Sequence, residues 1–144
     1  MKKFYLIFFI ASFTSIYLTP AYADNKVWVF NCEYAFPPPV DSFFITCADG
    51  NEGIYKIKWS KWSQNGGEGI GVYGINNCRP DCAEGKYTFT RVKILLSKPK
   101  ILNKRIYLSY IKWWEVDKNN NQKKDGKFGE WDLYKYFKEA GGKI

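Results

Sequence analysis

From Val27 onward, apolar and polar residues alternate in short runs divided by glycine, asparagine and proline. In Ile54 to Ser60, Tyr55, Ile57 and Trp59 alternate with Lys56, Lys58 and Ser60, the period of a half-buried strand with a lysine-bearing face in water. On that pattern Trp59 belongs to the core. In Tyr87 to Leu96, Val92, Ile94 and Leu96 oppose Arg91 and Lys93. In Arg105 to Trp114, Ile106, Leu108 and Tyr110 oppose Tyr107, Ser109, Ile111 and Trp113. Val27 to Asn31 and Phe43 to Cys47 are shorter apolar runs, with Pro37 to Pro39 forcing an extended link between them. Gly69 to Gly74 alternates small and large residues and predicts a further strand after a turn at Gln64 to Glu68. Only the end changes period. Trp131 to Ala140 places Leu133, Tyr136 and Phe137 at helical spacing before Gly141 and Gly142. The pattern predicts a mainly β, single-domain antiparallel β-sandwich or small barrel with a short C-terminal α-helix.

The first 23 residues stand apart. Lys2 and Lys3 precede an apolar stretch to Leu18, and Ala21-Tyr22-Ala23 offers the small residues of a cleavage site before Asp24. Residues 1–23 are expected to be a cleaved signal peptide. Residues 24–144 are expected to be one secreted, periplasmic or cell-surface domain, with residues 117–144 forming a polar loop and the helix. No later segment is long and apolar enough to span a membrane. Of 22 basic residues, 20 remain without Lys2 and Lys3, against 14 acidic ones, a net charge of +6. Such a balance favours anionic surfaces outside the cytoplasm, such as envelope polymers, lipid head groups or acidic glycans, over nucleic acid.

Four cysteines in an exported chain predict two disulfides, and four allow three pairings. Cys32–Cys47 and Cys78–Cys82 are favoured because each closes a short segment with turn chemistry, around Pro37-Pro38-Pro39 and within Cys78-Arg79-Pro80-Asp81-Cys82. A four-cysteine zinc site would need a C-x2-C knuckle, which is missing.

Residues 59–63, WSKWS, match the W-S-x-W-S box of cytokine receptors. That box stands near the end of a fibronectin-like domain, whereas about eighty residues follow Ser63. The thrombospondin-type pattern fails as well, because its companion cysteines are missing. In a flat strand Trp59 and Trp62 would face opposite sides; in a bulged or polyproline-like segment they would share one, with Arg91 or Lys93 available to stack on them. A longer run resembles a family of small exported bacterial proteins of uncharacterised activity. It comprises Cys47-Ala48-Asp49-Gly50-Asn51, Trp59-Ser60 with Trp62, Gly69 to Tyr73, Asn77 to Gly85, and Val92 to Ser97 with Pro99. This resemblance covers residues 47–99 and implies architecture and compartment, not chemistry.

There is no histidine, which removes Ser-His and Cys-His nucleophile pairs and histidine-bearing metal centres. Asp49, Asp81, Glu115, Asp117, Glu130 and Asp132 carry no spacing that selects a catalytic pair. Residues 117–132 partly match a calcium loop, with Asp117, Asn119, Asn121 and Asp125 as ligands in one frame and Asn121, Asp125 and Asp132 in another. Neither frame is complete, and Lys118, Lys123, Lys124 and Lys127 oppose a dication. Calcium is the one cofactor the sequence suggests.

The expectation is therefore a non-enzymatic binding or structural domain for anionic envelope polymers or glycans. Trp62, Trp113 and Trp114 are the candidate sugar-stacking surfaces, provided they are exposed. A small secreted hydrolase or a protease inhibitor presenting Arg79 on the Cys78–Cys82 loop is the alternative.

Overall fold

The alternating segments fold into one curled sheet, a half-barrel, followed by a single short helix. A computed structural model describes residues 26–37 and 40–144; the expected signal peptide, Pro38 and Pro39 lie outside the described residues. The strands are β1 (Val27–Asn31), β2 (Tyr34–Phe36), β3 (Phe43–Phe44), β4 (Glu52–Ser63), β5 (Gly66–Asn76), β6 (Tyr87–Leu102), β7 (Arg105–Glu115) and β8 (Phe128–Asp132). Their order is β2-β1-β7-β6-β5-β4-β3. The expected mainly β fold holds in the form of one curled sheet. Its pairs are antiparallel except β1 with β7, which run parallel. The free edge of β7 is divided between two partners. β1 takes Ile106 to Leu108, and β8 takes Tyr110 to Trp114.

Strand β4 departs from simple alternation. Its pairing with β5 slips twice, between Tyr55 and Lys58 and between Trp59 and Lys61, so β4 carries one extra residue at each place. A bulge adds a residue without a partner and reverses the alternation beyond it. Ile54 and Ile57 are consequently both buried, while Tyr55 is displaced to the opposite face. The expected row Tyr55, Ile57, Trp59 is thus broken at Lys56, which has φ 53°. The facing strand makes room for the large residues of β4. A Cβ on Gly67 would lie 3.1 Å from the Trp62 ring, one on Gly69 3.0 Å from Trp59, and one on Gly71 3.1 Å from Ile57. Glycine at every second position of β5 leaves a trough that two indoles and an isoleucine fill.

The core continues across β6 and β7 through Val92, Ile94, Leu96, Ile111 and Trp113, all buried. Tyr107, Leu108 and Ser109 are buried in succession, so both faces of the sheet are covered there. Phe30 of β1 stacks on Tyr107 with centroids 4.9 Å apart and meets Phe137 at 4.8 Å.

The helix α1 spans Leu133–Glu139, not Trp131 to Ala140. Trp131 and Asp132 belong to β8, and Asp132 is the N-cap, its Oδ1 accepting from the Lys135 backbone N–H at 3.0 Å. Pairing with β7 holds Trp131 and Asp132 extended, which overrides the helical period expected to include them. Gln64 and Asn65 alone form the turn into β5, because Ser63 already pairs with Gly66.

Both expected disulfides are present. Cys32–Cys47 ties the end of β1 to the loop after β3, and Cys78–Cys82 closes the loop between β5 and β6. Asn31 reinforces the first tie, its Oδ1 accepting from the Phe44 N–H at 3.1 Å.

Candidate functional site

The same bulge that sends Ile57 inward leaves Tyr55 on the face away from the core. Register then assembles one row across four strands: Phe44 of β3, Gly53 of β4, Gly74 of β5 and Phe89 of β6. Two glycines between two phenylalanines would leave a bare trough, and aromatic rings lie down in it. A Cβ on Gly53 would meet the Tyr55 ring at 2.7 Å, and one on Gly74 would meet Phe89 at 2.8 Å and Tyr55 at 3.1 Å.

These rings line an open groove of about 800 Å³, bounded by Phe44, Tyr55, Val72, Tyr87 and Phe89, with Asp49, Gly50 and Lys56 at its margin. Phe89 is 61 %, Phe44 46 % and Tyr87 42 % exposed. Tyr87 and Phe89 are two residues apart on one strand and stack nearly parallel, 5.8 Å between centroids and 13° between planes. Phe44 stands edge-on to Tyr55 at 6.2 Å. The phenol groups of Tyr55 and Tyr87 both donate to the Gly50 carbonyl at 3.3 Å, anchoring the rings to the turn before β4. Burial, and to a smaller extent the neighbouring Tyr87, raises the Tyr55 phenol above its ordinary pKa. Asp49 accepts from the Asn51 backbone N–H at 3.1 Å, the main cause holding its carboxyl below the usual aspartate range. The groove thus combines flat apolar surfaces with a carboxylate and a lysine at its rim.

The sequence signal for this groove was thin. Tyr87 and Phe89 precede the strongly alternating part of their strand, and Tyr55 looked like core. Finding the site requires the bulge at Lys56, which the sequence does not announce.

The expected tryptophan display is not what the fold provides. Trp113 is 4 % exposed, stacked 4.2 Å from Tyr73 and 6.0 Å from Trp131, and is a core residue. Trp62 is half-buried against Trp59. Trp114 is half-buried with Lys93 Nζ 5.9 Å from its ring. Neither Arg91 nor Lys93 stacks on the Trp59–Trp62 pair; Arg91 donates to Asn120 and Lys93 bonds Glu68. Trp59 is half-buried, its indole N–H donating to the Val40 carbonyl at 2.6 Å.

Arg79 is exposed on the loop closed by Cys78–Cys82. That loop is fixed from within: Asn76 donates to the Cys82 carbonyl at 2.8 Å and accepts from the Cys78 N–H at 3.0 Å, and Asp81 accepts from Ala83 and Glu84. In the 117–132 segment, the Asp117 Oδ1 accepts from the Asn119 and Asn121 backbone N–H groups at 2.8 and 2.9 Å. These bonds bring Asp117, Asn119 and Asn121 into one turn. The largest cause lowering the Asp117 carboxyl is the Asn121 backbone bond. Asp125 follows in the same loop, whereas Asp132 lies at the far end of β8, four residues past Phe128 and roughly 13 Å along the strand. Among the described residues, no group of three or more His, Cys, Asp or Glu side chains gathers as a metal site.

Compared with known proteins, the chain matches no family model, no curated sequence and no solved structure. What defines it is a half-barrel carrying an aromatic groove on the face turned away from its core.

Proposed function

We propose that this is an exported binding domain whose ligand is a glycan seated in the aromatic groove of β3 to β6. The observation that carries this reading is the exposed parallel pair Tyr87–Phe89 beside Tyr55 and Phe44. Sugar rings present C–H faces that pack on flat aromatic surfaces, and their hydroxyls need nearby polar groups. Asp49 and Lys56 stand at the rim for that purpose. A groove of this size accommodates a few sugar rings, and its open sides suit a chain passing through. The disulfides and the leader-like first 23 residues support export.

The test is a titration of the protein with neutral and acidic oligosaccharides, followed by tyrosine and backbone NMR shifts. Shifts confined to Phe44, Tyr55, Tyr87 and Phe89, abolished by Phe89→Ala, are expected. A panel without any such response would overturn the glycan assignment.

The exposed Arg79 on its disulfide-closed loop favours a second reading, inhibition of a protease that cleaves after basic residues. Undiminished proteolysis of a substrate in the presence of excess protein would remove it.

A further inference from the structure

Between Glu84 and Glu115 the chain carries eight lysines and arginines and no acidic residue. Strands β6 and β7 lie within this stretch and form a long hairpin. Some of these cations are matched from elsewhere: Lys93 bonds Glu68 of β5 at 2.6 Å, Lys112 bonds Glu130 of β8 at 2.9 Å, and Arg91 donates to the Asn120 side chain in the loop after β7. The cations near the hairpin tip are not. Among the described residues, Lys98, Lys100, Lys104 and Arg105 have no carboxylate within ion-pair distance. Glu130, the acid whose charge Lys98 also feels, is bonded to Lys112.

Three of the four cations rest on half-buried aromatic rings. Lys98 Nζ is 3.5 Å from the Tyr110 centroid, Lys100 Nζ is 5.0 Å from Tyr134, and the Arg105 guanidinium is 4.8 Å from Trp28. Ile101, 76 % exposed, lies at the same tip, on the face opposite Lys100 and Arg105, since it pairs with Ile106 while they pair with Tyr107 and Leu102. The tip turns on Asn103 and Lys104, both with positive φ (46° and 62°), the two-residue turn that follows strand twist. Glycine is the usual residue at the second of these positions. Here a lysine occupies it, which keeps a further cation at the tip.

We infer that the β6–β7 hairpin tip docks on an anionic lipid surface, with Ile101 entering the headgroup layer and Lys98, Lys100, Lys104 and Arg105 contacting lipid phosphates. Cations attracted to the negative surface supply long-range attraction, and an exposed apolar side chain at the same tip has hydrocarbon to enter when the hairpin docks end-on. Tyrosine and tryptophan each carrying a cation suit the layer where apolar and wet surroundings meet. A soluble polyanion would use the same charges but offer nothing to Ile101. The aromatic groove lies near the opposite end of β6, so docking by the tip leaves it free.

The experiment is sedimentation of residues 24–144, which hold every described element and both disulfides, with phosphatidylcholine vesicles alone and with vesicles containing phosphatidylglycerol. Binding to the anionic vesicles alone is expected. Lys98→Gln with Lys100→Gln should weaken it about fivefold per cation removed. Ile101→Ser should weaken it about tenfold while leaving retention on soluble polyphosphate unchanged. Lys118→Gln with Lys124→Gln, away from the tip, should change neither. All these positions are exposed or half-buried, and an unaltered near-ultraviolet spectrum confirms each variant's fold. Lack of binding to anionic vesicles, or an Ile101→Ser variant that binds as tightly as the parent, would overturn the inference. Equal loss from the Lys118/Lys124 variant would overturn it too, by showing that net charge alone is responsible.

Discussion

Trp59 and Trp62 meet edge to face, 4.8 Å between ring centroids and 74° between planes, because Ser60 is an extra residue of β4 between them, so that they pair with Gly69 and Gly67, only two residues apart. Three residues apart in a regular strand, they would lie on opposite faces. The bulge restores them to one face and gives them a floor of glycine. The box is a packing device in which the second serine position has no role in the indole contact. Ser63 instead closes the turn by donating to the Gly66 carbonyl at 3.1 Å.

That relationship predicts an order among glycine substitutions. A Cβ at Gly67 meets only indole carbons, at 3.1 and 3.3 Å, which can shift slightly. A Cβ at Gly69 meets the Lys58 carbonyl oxygen at 2.9 Å as well as Trp59 and Ile57, and backbone cannot yield as cheaply. Gly69→Ala should therefore cost about 2–3 kcal/mol and Gly67→Ala about 1 kcal/mol, within the usual range for overpacking. Urea denaturation followed by tryptophan fluorescence measures both; a Gly67→Ala variant less stable than Gly69→Ala would contradict the packing described.

The two disulfides should differ in worth. Cys32–Cys47 closes a separation of 15 residues and Cys78–Cys82 one of 4. On loop entropy the first contributes about 3 kcal/mol and the second about 2 kcal/mol. Replacing Cys32 and Cys47 by serine should lower the denaturation midpoint more than the same change at Cys78 and Cys82. The smaller loop also keeps its Asn76, Asn77 and Asp81 bonds without the sulfur link.

Much of the architecture was legible in the residues, and the failures have a common physical cause. The run Arg91 to Leu96 alternates cleanly, and both it and the apolar run Arg105 to Trp114 lie within observed strands. Both disulfides followed from turn chemistry and short separation. Alternation fails where pairing geometry intervenes, as at Lys56 and Ser60, because a bulge changes facing without changing composition. Trp131 and Asp132 satisfied a helical period and were drawn into β8 by the free half of the β7 edge. The same limit hid the binding face. Simple alternation puts Tyr55 in a row with Ile57 and Trp59, and the groove exists because the pairing slips by one residue after Tyr55.

Glu68 predicts an acid-sensitive contribution to stability. It pairs with Lys93 at 2.6 Å and Lys61 at 3.6 Å, and the hydrogen bond from Lys93 is the main cause holding its carboxyl below the ordinary value of 4.5. A carboxyl with a lower pKa folded than unfolded stabilises above the unfolded value and loses that effect as pH falls through the folded one. The melting temperature of Glu68→Gln should lie below that of the parent at neutral pH, and the gap should close on acidification from about pH 4.5 downward. Raising the salt concentration at neutral pH should also narrow it, since the pair is partly exposed to solvent.

Asn76 is the hinge post of the Cys78–Cys82 loop, and its loss should be felt there before anywhere else. Its side chain is buried and uses both ends, donating to the Cys82 carbonyl and accepting from the Cys78 N–H. Asn76→Ala leaves both backbone groups without that partner, while the disulfide still closes the loop. The expected cost is about 1 kcal/mol, the net worth of a hydrogen bond, because Cys82 is exposed and Cys78 half-buried, so water can reach the freed groups. Hydrogen exchange should accelerate at the Cys78 amide while the amides of β6 and β7 facing Leu96 and Ile111 keep their relative protection. Uniform acceleration across the sheet would show instead that Asn76 supports the whole half-barrel. The variant also separates the two functional readings. Loosening the loop should impair protease inhibition through Arg79, whereas glycan binding in the groove rests on Tyr55, Tyr87 and Phe89 and should survive.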